Sequence, residues 1–316
     1  MRLALMLEPQ QGLSYDEQRD IAQLAERLGF EALFRSDHYQ SFPGPAGRPT
    51  TDAWAVLAGL ARDTSRIRLG ALVSPVTFRL PGNIAKVVAT VQEMSGNRVE
   101  LGLGAGWNTD EHRQHGFPFP EIGVRAEMLE EQLEIVAGLW DQPDGWSFHG
   151  RHYTIDGAMF HPRTPRPWII VGGQGTPRSL RIAARYADEF NITGASPDDA
   201  AVVYAKLDDA CRAIGRDPAS LVRSAMVTTL IGADEEAVNR RADALLERIG
   251  RLGSGADARH WLDVRRPKWI MGTFDEARAA VRRYEAAGVA RIMLQDLYPW
   301  DLEMIREMGG ELVGWA

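Results

Sequence analysis

Cysteine is almost missing from this chain. Cys211 is the single one, so no intramolecular disulfide can form and no cluster of thiolates can hold zinc. Long apolar runs are missing too. The N-terminal MRLALMLEPQQ stays apolar for a few residues and then meets Glu8. That is too short for a secretory signal core or a membrane span, so a cytoplasmic protein is expected. Basic charge is not in excess: 36 lysines and arginines face 43 aspartates and glutamates, for a net charge of −7. Bulk attraction to nucleic acid or to an anionic membrane is therefore not expected. No H-x-H or H-E-x-x-H pair occurs, and no metal is expected.

What is present is a rhythm. Residues 14–29 (SYDEQRDIAQLAERLG) place Ile21, Leu24, Ala25 and Leu28 on one helical face, with Ser14 as N-cap and Gly29 as the terminating residue. An apolar stretch follows at once. The same alternation recurs at 61–73, 92–104, 183–192 and 284–294. Helices joined to strands by short turns imply parallel strands, because antiparallel neighbours need no helix between them. The pattern predicts strands at Leu3–Leu7, Glu31–Arg35, Arg66–Val73, Val99–Gly104, Trp168–Val171, Glu189–Ile192, Val222–Ile231 and Arg291–Gln295. Eight of them alternating with helices predict an α/β fold, a (β/α)8 TIM barrel, with an open doubly wound sheet as the alternative. No low-complexity linker divides the chain, so residues 1–316 read as one domain. Two irregular insertions, 141–167 and 251–270, break the rhythm and are expected to act as lids or binding loops. Within the first, FHGRHYTI reads as a strand or hairpin lying across a barrel end.

The glycines of VELGLGAGW (99–107) raise a dinucleotide reading that fails on spacing. A Rossmann turn needs G-x-G-x-x-G and a helix directly after it. Here Trp107 takes the third place, and 107–120 read as a loop before a helix near Glu121. These glycines instead suit a close approach of backbone or of a flat ligand at a barrel strand end, or, for Gly102, plain barrel packing. A better anion site is WIIVGGQGTPRSL (168–180): a strand runs into Gly172-Gly173-Gln174-Gly175, then Thr176 caps a helix with Pro177 at its first position. At the ends of other strands stand Glu8, Asp37, His38, Glu111 and Asn191, all expected to ring the catalytic face. His112 and His115, three apart in the loop after the fourth strand, read as solvent-facing residues of a lid, with metal ligation as the lesser alternative.

GFEALFRSDHY, RIRLGALVSPVTFR, GNRVELGLGAGW, IIVGGQGTPRSLRIAARYADEFN and the segment from Gly272 to Glu276 together resemble the bacterial luciferase-like superfamily. The likeness is greatest to its hydride-transferring branch, which uses the deazaflavin F420. The resemblance implies a (β/α)8 barrel with cofactor at the C-terminal face and, through barrel helices, a homodimer. It implies that Asp37 and His38 lie beside the ring, and that Leu72–Val73 is a non-proline cis peptide forming a bulge behind it. Ser74, Ala105 and Gly106 then approach the ring or its side chain. The turn Val171, Gly172, Gly173 and Gln174, with Asn191 nearby, receives the cofactor phosphate. Arg79, Arg178 or Arg181 would meet an acidic cofactor tail.

One departure matters. Where sugar-phosphate dehydrogenases of that branch carry a glutamate, this chain has Trp107, which suits a flat apolar substrate; His112 is placed in the same pocket. The reaction then expected is hydride transfer between the deazaflavin C5 and a small alcohol or carbonyl, imine or activated alkene. His38 is expected to manage the proton, because an imidazole gives or takes one near neutral pH. Asp37 would orient it or bond the ring, with Glu8 and Glu111 as further proton candidates. The alternatives are a monooxygenase using reduced FMN, and a flavin-binding protein without turnover.

Overall fold

A computed structural model describes residues 1–250 and 256–314. Eleven strands are present among them: β1 (Arg2–Leu7), β2 (Ala32–Arg35), β3 (Arg68–Pro75), β4 (Val99–Gly104), β5 (Trp146–His149), β6 (Thr154–Ala158), β7 (Trp168–Gly173), β8 (Glu189–Thr193), β9 (Val222–Gly232), β10 (Ile270–Thr273) and β11 (Arg291–Asp296). Eight of them, β1, β2, β3, β4, β7, β8, β9 and β11, pair in parallel, and the β8–β9 pairing closes the circle. The fold is the (β/α)8 barrel.

Side-chain alternation decides which residues fill it. Leu3, Leu5 and Leu7 of β1 point outward to the helical layer, while Ala4 and Met6 point inward and meet Phe34, Ile170 and Met293. Each large apolar side chain so buried contributes about 1.5–3 kcal/mol. The helices are set by local signals. Ser14 accepts from the backbone N–H of Glu17, whose carboxylate accepts in return from Ser14, and such a cap contributes about 1 kcal/mol. Gly29 ends that helix at φ 86°, a left-handed conformation that glycine adopts without penalty.

The floor of the barrel is charged. Arg291, Glu100 and Glu189 are all but excluded from solvent, and Arg291 donates to Glu100 at 2.6 Å and to Glu189 at 3.2 Å. Burial would raise the pKa of Glu100, but Arg291 and Arg68 outweigh it and hold the carboxyl below its usual range. Glu189 goes the other way, raised by burial against the pull of Arg291.

Three segments depart from the sequence expectation. The hairpin β5–β6 does not cross a barrel end. It lies along helix Ile122–Asp141, with the Glu131 carboxylate accepting from the backbone of Arg151, His152 and Tyr153. The supposed loop after β4 holds a helix, Thr109–His115, whose N-cap Asn108 accepts from Glu111 and whose C-cap Gly116 sits at φ 71°. The insertion expected at 251–270 gives way to helix Ala256–Asp263 and then to β10, which pairs with the outer half of the long β9; residues 251–255 lie outside the described residues.

Candidate active site

The mouth of the barrel is shaped first by a bulge. Between Ala71 and Ser74 the pairing of β3 with β4 slips, so that Leu72 and Val73 face Gly102 alone. The Leu72–Val73 peptide is cis. Val73 is half-buried, and three glycines surround it. A Cβ on Gly102, Gly104 or Gly172 would come within 3.0, 2.7 and 2.9 Å of the Val73 methyls. Gly104 and Gly172 therefore make room for this side chain, whereas a Cβ on Gly102 would first meet the Ala71 carbonyl oxygen, at 2.3 Å; Val73 becomes part of the wall.

Beside it, the end of β2 turns Asp37 and His38 to different partners. Asp37 is buried; it accepts from the Ser74 hydroxyl at 2.7 Å and pairs with Arg79. Ser74 in turn accepts from Trp54 Nε1 at 2.9 Å, so its proton is committed to Asp37 and one lone pair to Trp54. Arg79 also donates to Asp52 at 2.6 Å and to the Tyr39 hydroxyl at 2.9 Å. Burial would lower the Arg79 pKa, yet Asp37, Tyr39 and Asp52 hold it above the ordinary value. Arg79 is thus a locked part of the site and is not available to an acidic tail. Arg178 is likewise turned aside, donating to Glu130 and to the Gly123 carbonyl at 3.1 and 3.0 Å, whereas Arg181 is exposed.

His38 pairs with Glu111, not with Asp37. Its Nδ1 donates to Glu111 Oε2 at 2.9 Å. Glu111 is fully buried and also accepts from the backbone N–H groups of Tyr39 and Gln40. Among the described residues, Nε2 of His38 has no hydrogen-bond partner. The ring meets Phe42 edge-on with centroids 4.4 Å apart and Trp107 at 5.9 Å. Trp107 itself is 64% exposed.

His112 is not solvent-facing. It is buried, with Nδ1 2.6 Å from the Asn108 carbonyl and Nε2 2.6 Å from the Thr77 hydroxyl. Burial lowers its pKa, so Nδ1–H donates and Nε2 accepts from Thr77. This neutral ring, packed on Phe119 at 4.3 Å, fastens helix Thr109–His115 and with it Glu111. His115 is exposed.

Glu8 and Asn191 are both held by polar neighbours. Glu8 accepts from Gln10 at 2.7 Å and from Gln295; Gln10 accepts from Ser36 at 2.6 Å. Asn191 donates to Ser224 at 2.9 Å inside the barrel. At the end of β7, Val171 is buried, Gly172 and Gly173 are half-buried and Gln174 is exposed. Gly175 has φ 77°, and Thr176 accepts from Ser179 to cap helix Pro177–Tyr186. Bare backbone in front of a ten-residue helix N-terminus suits an anion. Ala105 and Gly106, half-buried, continue β4 beside it.

Tyr39 and Asp52 carry no site signal in the sequence, and both join the site through Arg79. Their link is a hydrogen-bonded chain across 40 residues, and a single sequence carries no sign of it.

The fold and these residues match known proteins. A family model described as luciferase-like monooxygenase matches residues 1–291. An F420-dependent glucose-6-phosphate dehydrogenase from Microbacterium testaceum is 33% identical over 186 residues, 58% of this chain and 54% of the relative. The alignment thus spans about half of that protein. An F420-dependent secondary alcohol dehydrogenase, solved with an F420-acetone adduct, superposes with TM-score 0.84 at 20% identity, covering 100% of this chain and 99% of the other. A monooxygenase from Streptomyces bottropensis superposes with TM-score 0.83 at 23% identity, covering 100% of both. At these identities the superpositions speak to the fold. No helix among the described residues is long and apolar enough to cross a membrane.

Proposed function

The chain belongs to the luciferase-like monooxygenase family, and on that premise we propose that it is an F420-dependent oxidoreductase. It would pass hydride between the deazaflavin C5 and a small organic substrate: an alcohol or carbonyl, an imine or an activated alkene. One observation carries the reading. His38 is an imidazole held at Nδ1 by a buried carboxylate and open at Nε2, at the mouth of a barrel and walled by Phe42 and Trp107.

The residues present fit a flat cofactor with an anionic tail. Gly104 and Gly172 leave Val73 as the wall behind a ring, and the turn Gly172-Gly173-Gln174 before the Thr176-capped helix offers backbone N–H groups to a phosphate. When bound, the deazaflavin supplies hydride chemistry and resists one-electron and oxygen chemistry.

The chain's own residues supply the rest. Glu111 fixes the Nδ1–H tautomer, so neutral His38 accepts a proton at Nε2 and, once charged, returns it there. Glu111 stabilises the imidazolium as it forms. Phe42 and Trp107 wall the imidazole, and Trp107, largely exposed, offers an apolar face to the substrate. Asp37 and Arg79 serve as the frame of the site: with both Asp37 oxygens engaged, its part is to hold the β2 and β3 ends together.

The family description favours a second reading, a monooxygenase using reduced FMN and oxygen. The two part in one experiment. Titrating the protein separately with F420 and FMN, by tryptophan fluorescence, is expected to show F420 binding; oxygen uptake with reduced FMN is expected to stay at background. Binding of FMN alone would overturn the deazaflavin reading.

A further inference from the structure

Two guanidinium groups stand together on the catalytic face without a carboxylate between them. Arg48, in the segment after β2, donates from Nη1 to Gln11 Oε1 at 2.8 Å and from Nη2 to the Arg248 carbonyl. Arg248, the last residue of helix Glu235–Arg248, donates from Nη2 to the Gln11 carbonyl, and its guanidinium lies 4.2 Å from the Trp300 ring centroid. Its Nε is buried with no acceptor. Among the described residues neither arginine forms a salt bridge. Glu17 is close enough to feel Arg248, but its carboxylate is taken by Ser14 and by Trp300 Nε1.

Like charges held this close repel, and burial together with Arg248 pushes the Arg48 pKa down. A chain richer in acid than in base had carboxylates to place there and did not. Both arginines open on a pocket of about 680 Å³ whose walls include Gly12, Tyr298, Trp300 and the exposed Glu247. That volume lies within the range of small-molecule sites, roughly 300–1,000 Å³. Gly12 has φ 110°, and a Cβ there would sit 3.1 Å from Arg248 Nη2, so the backbone stays bare beside the charge. Tyr298 and Trp300, with ring centroids 5.6 Å apart, offer aromatic surface next to it.

The geometry points to a binding site for an oxyanion, the carboxylate or phosphate of a small organic molecule, gripped by Arg48 and Arg248 with its carbon skeleton against Tyr298 and Trp300. None of these residues is among those given to the ring, so the site goes beyond the function proposed above and its binding is measurable without any cofactor. It is nevertheless tied to the proton-handling imidazole. Gln11, which accepts from Arg48, donates to the Phe42 carbonyl at 2.7 Å, and Phe42 abuts His38. The anionic group is carried either by the substrate, which would make acidic molecules the substrate class, or by the tail of the cofactor.

Calorimetric titration with phenyl phosphate, inorganic phosphate and benzyl alcohol tests the site. Phenyl phosphate is expected to bind, inorganic phosphate to bind more weakly, and benzyl alcohol not to bind. Arg48→Gln and Arg248→Gln are each expected to weaken phenyl phosphate by roughly ten- to a hundredfold; Arg48→Lys, which keeps the charge, should lose less. Retained phenyl phosphate binding with F420 saturating assigns the site to the substrate. Displacement by F420, but not by its riboside lacking phosphate and tail, assigns it to the cofactor. The site is refuted if phenyl phosphate fails to bind wild type, if benzyl alcohol binds as tightly, or if a folded Arg48→Gln variant binds as wild type does. The wild-type comparison stands even where an arginine variant does not fold.

Discussion

Glu111 and His38 are 73 residues apart in the chain and 2.9 Å apart in the fold. The carboxylate that steadies the imidazole arrives on a seven-residue helix, Thr109–His115, itself pinned by His112. In the proposed reaction, proton handling thus depends on a segment whose carboxylate holds His38, Tyr39 and Gln40, just past the end of β2.

His38→Ala is expected to leave F420 affinity nearly unchanged and to lower turnover by about 10²–10⁴-fold. Glu111→Gln keeps the shape but loses the charge, and a smaller loss of roughly tenfold or more should accompany a changed pH profile of kcat. Steady-state kinetics across pH, beside a binding titration, checks both. Unchanged turnover in His38→Ala would remove the imidazole from the reaction.

Gly104→Ala brings a Cβ to within 2.7 Å of Val73, and overpacking of this kind costs about 1–3 kcal/mol. Val73→Ala should relieve most of it, so the double variant is expected to be less destabilised than the sum of the two singles. Urea unfolding of the four proteins of that cycle gives the coupling directly.

Asp296 predicts a pH dependence. It is fully buried; Oδ1 accepts from Tyr298 N–H at 2.8 Å and Oδ2 has no partner. Burial raises its pKa to about 7, whereas an unfolded chain releases that proton near pH 3.9 or so. The folded state holds the proton more tightly, so the stability it contributes is complete below about pH 4 and is lost as pH rises through 7. Relative to wild type, Asp296→Asn should gain a few kcal/mol between pH 4 and pH 8, roughly. Unfolding curves at the two pH values measure it; a constant difference would show that the group does not titrate there.

Arg291→Met strands Glu100 and Glu189 in the barrel floor. Removing one member of a buried ion group costs about 3–5 kcal/mol, and chemical denaturation should show a loss of that size. A triple change of Arg291, Glu100 and Glu189 to apolar residues is expected to recover much of it.

The barrel was legible because its signals are local. Ser14 and Gly29 bracket a helix, strands alternate, and all eight barrel strands fall where the pattern placed them, within a few residues. Short or long-range features were not. Helix Thr109–His115 is a single capped segment beside an FPFP run, and its Asn108 and Gly116 signals are weak alone. β10 is four residues long, with nothing but pairing to β9 to define it. Asp37 and His38 are neighbours in sequence, which suggested a pair. On a strand end, adjacent side chains point to opposite sides, and each found a partner from elsewhere. The glycines admitted two readings, room for a flat ring or room for packing, and the fold gives Gly104 and Gly172 to Val73 and Gly102 to the Ala71 carbonyl.

That arrangement makes positions 73, 104 and 172 one unit of variation, while the Ala71 backbone keeps position 102 glycine. Two of the three are already at the smallest residue, so the chain has no further volume to surrender around Val73. A related sequence that enlarges residue 73 must move strands, while one that shrinks it frees its neighbours to acquire side chains. Aligned relatives should therefore show these three columns changing together, with their summed side-chain volume nearly constant, and column 102 staying glycine.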